Sequence, residues 1–227
     1  MIDVLSSETV KEYGYNAGAV VAGITASDSL NEALPGYKPN EAMIGCRSVI
    51  VFGIPSPEEA LLNSAVEYSA IRLEIVQKIN NVAINVERAI KQHGYKARAV
   101  KGFGGKYVDG KQYGFISLKH AAELAGLGNI GRNKLLTHPA YGNLLWLSAV
   151  LTDAELTPDK RVQFLNCDSC NKCVEMCPAH ALDDADSFDY KECSRTCLKI
   201  VDKKWLFDCY LCRKVCPYRF GQKGQNQ

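Results

Sequence analysis

Cys167-x2-Cys170-x2-Cys173-x3-Cys177-Pro178 sets four thiols within eleven positions and closes them with a proline. Crowding of this kind has three explanations: disulfides, zinc or iron–sulfur clusters. The chain has ten cysteines; Cys46 stands alone, and the others lie between 167 and 216. A disulfide framework needs an oxidising compartment. The amino terminus, MIDVLSSETVKEY, lacks the basic and apolar regions of a signal peptide. The stretch from about 161 to 220 is also poor in aliphatic residues and too short to build a core of its own. Whatever the thiols bind must hold it together.

The spacing separates the explanations. In the bacterial ferredoxin run the first three thiolates wrap one [4Fe–4S] cluster and the fourth reaches across to another. Cys209-x2-Cys212-x3-Cys216-Pro217 matches the last three positions of a second such run. Its first position is Leu206, and Cys193 or Cys197, just upstream, can supply the missing thiolate through a loop. Zinc sites favour paired Cys-x2-Cys knuckles instead. The crossing rule therefore groups Cys167, Cys170, Cys173 and Cys216 around one [4Fe–4S] cluster. It groups Cys209, Cys212, Cys177 and one of Cys193 or Cys197 around another, with one thiol left over. Each cluster takes the place of a hydrophobic core. The two prolines fix the backbone beyond Cys177 and Cys216 and withhold an amide hydrogen. Cys46 reads as a small buried hydrophobe. Two clusters mean one-electron transfer, so the rest of the chain must use or relay electrons.

That rest, residues 1–160, reads as α/β, with a second, cluster-bearing domain over 161–227. Ser7 is the expected cap of a short helix through Tyr13. AGAVVAGIT (17–25), RSVIVFGI (47–54), YKARAV (95–100) and NLLWLSAVLTD (143–153) read as strands, and LPGYKPN (34–40) as a turn-rich loop. Between 63 and 92, Ile75, Ile79, Val82, Val86 and Ile90 recur at steps of three and four and predict one long amphipathic helix. KGFGGKYVDGKQYG (101–114) reads as a mobile glycine-rich loop, SLKHAAELAG (117–126) as a second helix, and GQKGQNQ as a disordered tail. The formal charge of +2 and the lack of a basic block argue against a nucleic-acid partner. The apolar runs are too short to span a bilayer, and a cytoplasmic location is the expectation.

Gly126-Leu127-Gly128-Asn129-Ile130-Gly131 matches G-x-G-x-x-G. A dinucleotide fingerprint follows a strand and opens a helix, whereas KHAAELA before this motif is helical in composition. The motif reads as a tight helix-to-loop turn, or as a close backbone approach to a flat or anionic ligand. A reductase also needs a proton source. Tyr107, Asp109 and Tyr113 lie in the glycine-rich loop, and His138 and Tyr141 lie in the turn LTHPAYG. Asp109, Tyr113 and His138 are the candidate catalytic residues, with plain solvent-facing roles as the alternative. His120 reads as a packed or capping residue. Lys172 and Arg213, beside the cysteines, read as surface charges or as groups that tune potential or dock a donor.

AELAGLGNIGRNKLLTHPAYGNLLWLSAVLTDAEL (122–156) followed by the two cysteine runs resembles the epoxyqueuosine reductase family and its reductive dehalogenase relatives. LPGYKPNEAMIGCRSVIVFGIP (34–55) fits the same family. The resemblance implies a nitroreductase-like α/β core joined to a ferredoxin-like module. It also implies base-off cobalamin held between them, reduced by the clusters and reducing the substrate in turn. Gly126, Leu127, Gly128, Gly131, Arg132 and Asn133 would line the corrin. Cys193, in KEC, would be the remaining cluster ligand in preference to Cys197. A low-potential donor such as ferredoxin or flavodoxin would supply electrons for a small-molecule substrate. Two departures stand out. The sequence ends soon after Cys216-Pro217, without a longer helical extension, and FISLKH occupies the neighbourhood of the family's catalytic aspartate. Transfer RNA is therefore not the expected substrate. Two other readings are an electron-transfer or corrinoid-handling protein without turnover of its own, and FMN in place of the corrinoid.

Overall fold

Ser6, not Ser7, opens the first helix. In the computed structural model, which describes residues 5–33, 36–103, 106–108, 111–167, 169–184, 187–202 and 204–226, the N–H of Thr9 donates to Ser6 Oγ at 3.1 Å and caps α1 (Ser7–Asn16). The Ser7 hydroxyl is engaged elsewhere, accepting from the N–H of Thr157 at 2.8 Å. The helix ends where Gly18 takes φ +102°, a conformation that glycine adopts at little cost. That turn is why the first strand, β1 (Val21–Ala26), begins four residues later than expected.

The described residues divide between two units. The first comprises Met1–Ile54, Ile75–Leu127 and Trp146–Val162. It contains β1, α2 (Pro39–Ala42), β2 (Ser48–Pro55), most of α3 (Ala65–Gln92), β3 (Ala97–Val100), β4 (Lys106–Val108), β5 (Lys111–Tyr113), α4 (Leu118–Leu124) and nearly all of β8 (Leu145–Thr152). Four of these strands form one sheet in the order β1-β2-β8-β3. β1 runs antiparallel to β2 with Val21 opposite Gly53, and β3 antiparallel to β8 with Ala97 opposite Thr152. Val49, Ile50, Val51 and Phe52 of β2 are fully buried, as expected for a continuous apolar run in an inner strand. Ile75, Ile79, Val82, Val86 and Ile90 form the buried face of α3, and the last four join Phe52 and Val150 in one core. Burying each such side chain is worth about 1.5–3 kcal/mol, which holds the helix on the sheet. The expected loop over 101–114 contains the antiparallel pair β4–β5, with Lys106 opposite Tyr113. The Asp-Gly dipeptide between the two strands is a hairpin signal in its own right.

The second unit comprises Pro55–Glu74, Gly128–Leu145 and Gln163–Gln227. The expected division near residue 160 coincides with the end of one segment, but two earlier segments also belong to this unit. The reason is apolar supply. Ala60, Leu61, Tyr68 and Leu144 are buried here, and Ile71, Phe207, Tyr210 and Phe220 pack against them. Tyr68 and Tyr210 stack at 4.0 Å, and the Tyr210 hydroxyl donates to the Asn63 carbonyl at 2.5 Å. The cysteine-rich stretch thus borrows the core it cannot make. Its own elements are short: the ribbon β6 (Asn129–Ile130) with β7 (Leu136–Thr137), α5 (Lys172–Glu175), α6 (Tyr190–Cys197), the hairpin β9 (Leu198–Val201) with β10 (Lys204–Phe207), and α7 (Leu211–Lys214). Gly221–Asn226 form a 3-10 helix, and the N–H of Gln222 donates to the Pro139 carbonyl at 2.8 Å. Among the described residues no helix is long and apolar enough to cross a membrane.

Candidate metal centre

Nine cysteines of the second unit are free and close together in sequence, and the fold sorts them further. Cys167, Cys170, Cys173 and Cys216 line one cavity together with Gly131, Arg132 and Asn133. Three of these thiols come from the first cysteine run and the fourth from the second, 43 residues beyond the third of them by their numbers. α5 carries Cys173 inward, so its thiol is buried. Burial, and then the nearness of Cys167 and Cys170, hold that thiol above the usual cysteine range. Burial pushes Cys216 up to about 11, with Cys167, Cys173 and Cys170 adding to the shift.

A second group gathers at the carboxyl end of α6. Cys193 and Cys197 lie one helical turn apart, and a hydrogen bond from Cys193 draws the Cys197 thiol below the usual range. Cys209 and Cys212 interact electrostatically with Cys197. Cys212 is pushed up to about 11 by burial, against the pull of neighbouring Arg213, and it also feels Cys193, Cys209 and Cys173. The two groups therefore adjoin through Cys173 and Cys212. Cys177 follows the α5 turn, its N–H donating to the Val174 carbonyl at 3.0 Å.

Asparagines hold the frame. Asn133 Nδ2 donates to the Cys212 carbonyl and Asn143 Nδ2 to the Arg213 carbonyl, each at 3.2 Å. Asn129 Oδ1 accepts from the N–H groups of Phe164 and Leu165 at 3.0 and 3.3 Å, just ahead of Cys167. All three asparagines are buried. Asn129 and Asn143 are absent from the sequence-based candidates. Their signal is the recurrence of Asn close to glycine in GNIGRN and YGN.

The chemistry of this donor set fits [4Fe–4S] clusters: four thiols around one cavity and another thiol group next to it. Among the described residues no three His, Cys, Asp or Glu side chains converge closely enough to hold a single metal ion. Arg132 Nε and Thr137 Oγ1, both from residues lining the cavity, are buried without a hydrogen-bond partner. An anionic, sulfur-rich group would give the arginine N–H an acceptor.

The glycine motif follows a helix, α4, and leads into the short strand β6, which is the turn expected in place of a dinucleotide loop. A Cβ at Gly126 would lie 2.3 Å from the Lys160 carbonyl oxygen, within the first unit. One at Gly128 would lie 2.0 Å from the Thr137 carbonyl oxygen, within the second. In the direction of a side chain, both glycines thus admit the chain's own backbone. Leu127 is buried.

The candidate proton donors fare unevenly. Asp109 lies outside the described residues. Of Tyr107 and Tyr113 only the backbone is described, in β4 and β5. His138 sits in its own turn, with Nδ1 accepting from the N–H of Ala140 at 3.0 Å and its ring 5.2 Å from that of Tyr141. Burial lowers its pKa, which favours the neutral ring and leaves fewer molecules with a proton there to donate. His120 Nδ1 lies 2.6 Å from Ser117 Oγ at the start of α4, an exposed side chain–side chain contact that caps no backbone N–H. Cys46 is buried and its pKa raised by burial.

No protein-family model matches the chain. An epoxyqueuosine reductase of Listeria monocytogenes serovar 1/2a is 34% identical over 118 residues, 48% of this chain and 31% of that protein. One from a Synechocystis strain is 32% identical over 130 residues, 51% of this chain and 44% of that protein. The chain thus spans between about a third and under half of the curated relatives it matches. Among solved structures, an epoxyqueuosine reductase with an epoxyqueuosine-modified tRNA-Tyr stem loop superposes with a TM-score of 0.64 at 20% identity, over 95% of this chain and 65% of that one. A catabolic reductive dehalogenase gives 0.68 at 18% identity, over all of this chain and 34% of that one. The chain therefore resembles epoxyqueuosine reductases in sequence, and shares with them and with corrinoid reductive dehalogenases a mixed α/β fold.

Proposed function

We propose that the chain is an epoxyqueuosine reductase-like oxidoreductase that carries two [4Fe–4S] clusters. The observation that carries this reading is the cavity lined by Cys167, Cys170, Cys173 and Cys216, thiols from both cysteine runs around one space. Cys209, Cys212, Cys177 and Cys193 hold the other cluster, and Cys197 is the spare thiol. When bound, the clusters supply single electrons at low potential, which a bound corrinoid would pass to a small substrate. The chain's own residues do the holding. Buried thiols give up their protons on ligation, Asn133 and Asn143 fix the backbone at Cys212 and Arg213, and Arg132 offers an N–H to the first cluster. The corrinoid rests on resemblance to the reductive dehalogenases. No step is assigned to Gly126 or Gly128.

Anaerobic purification or reconstitution tests the reading. Iron and sulfide near eight each per chain are expected, with a broad absorption that bleaches on reduction. Stoichiometric zinc with negligible sulfide would overturn it. Cys193→Ala should lose one cluster while Cys197→Ala keeps both; the reverse would exchange the two assignments. Titration with cobalamin, in the oxidised and the reduced protein, reads the acceptor directly. Turnover is then assayed with an epoxyqueuosine-modified stem loop alongside small epoxides and aryl halides.

A further inference from the structure

Arg72 takes no part in the groups described so far, yet the fold delivers it to the second of them. It lies on α3 in the second unit, with Nε shut off from solvent. Its guanidinium carbon sits 3.8 Å from the centre of the Phe207 ring. Phe207 is fixed twice. It stands opposite Leu198 in the β9–β10 hairpin, and its N–H donates to Ser69 Oγ at 2.8 Å, one turn ahead of Arg72 on the same helix. Leu198 directly follows Cys197, and the N–H of Asp208 donates to the Cys197 carbonyl at 2.8 Å, immediately before Cys209. The ring that carries the guanidinium is therefore part of the root from which Cys197 and Cys209 spring.

The electrostatics agree with the geometry. Arg72 interacts with Cys197, Tyr68 and Tyr190, and with a second cation, Arg213, which adjoins Cys212. Burial first, and repulsion from Arg213 with it, bring the Arg72 pKa down to about 10, still far above neutrality. Two guanidinium groups beside one set of thiols favour an anion at that place. A [4Fe–4S] cluster with four thiolates is such an anion. It accepts one electron from a low-potential donor, with no bond broken, and gains one negative charge.

From this placement we infer that Arg72 raises the reduction potential of the second cluster by stabilising its reduced, more negative state. The inference rests on the two-cluster reading. It makes the second cluster easier to reduce than it would be without Arg72.

The test is an anaerobic redox titration followed by EPR, on wild type, Arg72→Gln and Arg72→Lys, with iron counted in each sample. Cys209→Ser marks which signal belongs to the second cluster. The expected result is a more negative midpoint for that signal alone in Arg72→Gln, with the other cluster unmoved, and a near wild-type value in Arg72→Lys. Loss of second-cluster iron in Arg72→Gln but not in Arg72→Lys would support the same conclusion, because the charge would then be needed to retain the anion. Unchanged midpoints at full iron, equal shifts of both clusters, or iron loss in both variants would overturn it. Failure of the two-cluster reading itself is separate, since it appears as missing iron in wild type.

Discussion

Gly128 is constrained by the chain itself. Its φ of +145° suits only glycine, and the Thr137 carbonyl oxygen occupies the place of a side chain. Gly128→Ala is expected to cost more than about 2 kcal/mol, combining backbone strain with displaced backbone. Urea unfolding of the cluster-free protein measures this, and a change within about 0.5 kcal/mol would show that the turn relaxes freely. The case marks what single residues disclose in sequence. G-x-G-x-x-G is legible as a place of close approach, but the approaching atom, a carbonyl nine residues on, is not. Cysteine spacing is more explicit, because ligation imposes it directly. Arg72 and the buried asparagines are silent in sequence, since one arginine on a long helix looks like any other until a hairpin folds over it.

Among elements, α3 is legible from its helical period and the two long strands from their nearly unbroken apolar runs. Ile79 is fully buried on α3. Ile79→Ala should destabilise the fold by about 2–5 kcal/mol, the transfer loss plus the cavity left behind, with little effect on iron content. Thermal unfolding and an iron assay on the same samples check both halves of that expectation. Shorter elements are less legible. β1 starts late because Gly18 ends a helix, and β4–β5 was masked by glycine and lysine that resemble a loop. The polar tail winds into a 3-10 helix because Pro139 offers its carbonyl to Gln222, a partner over eighty residues away in sequence.

Across the whole molecule, a linear division at residue 160 captures the cysteine-rich stretch but misses what that stretch recruits. Composition shows that 161–227 lacks a core; it does not show that Leu61, Tyr68 and Leu144 provide one. This recruitment makes α3 a helix with two allegiances. Residues 65–74 serve the unit that holds the cysteines, and 75–92 serve the sheet. Its amide protons should consequently not exchange as one block. On the proposed two-cluster reading, removal of iron should speed deuterium uptake in the first turns, while the later turns, locked by Ile79, Val82 and Val86, keep their protection. Uniform acceleration along the whole rod, or none, would contradict that division. A single continuous helix thus becomes a gauge whose fast end reports the occupancy of the metal centre and whose slow end reports the integrity of the sheet.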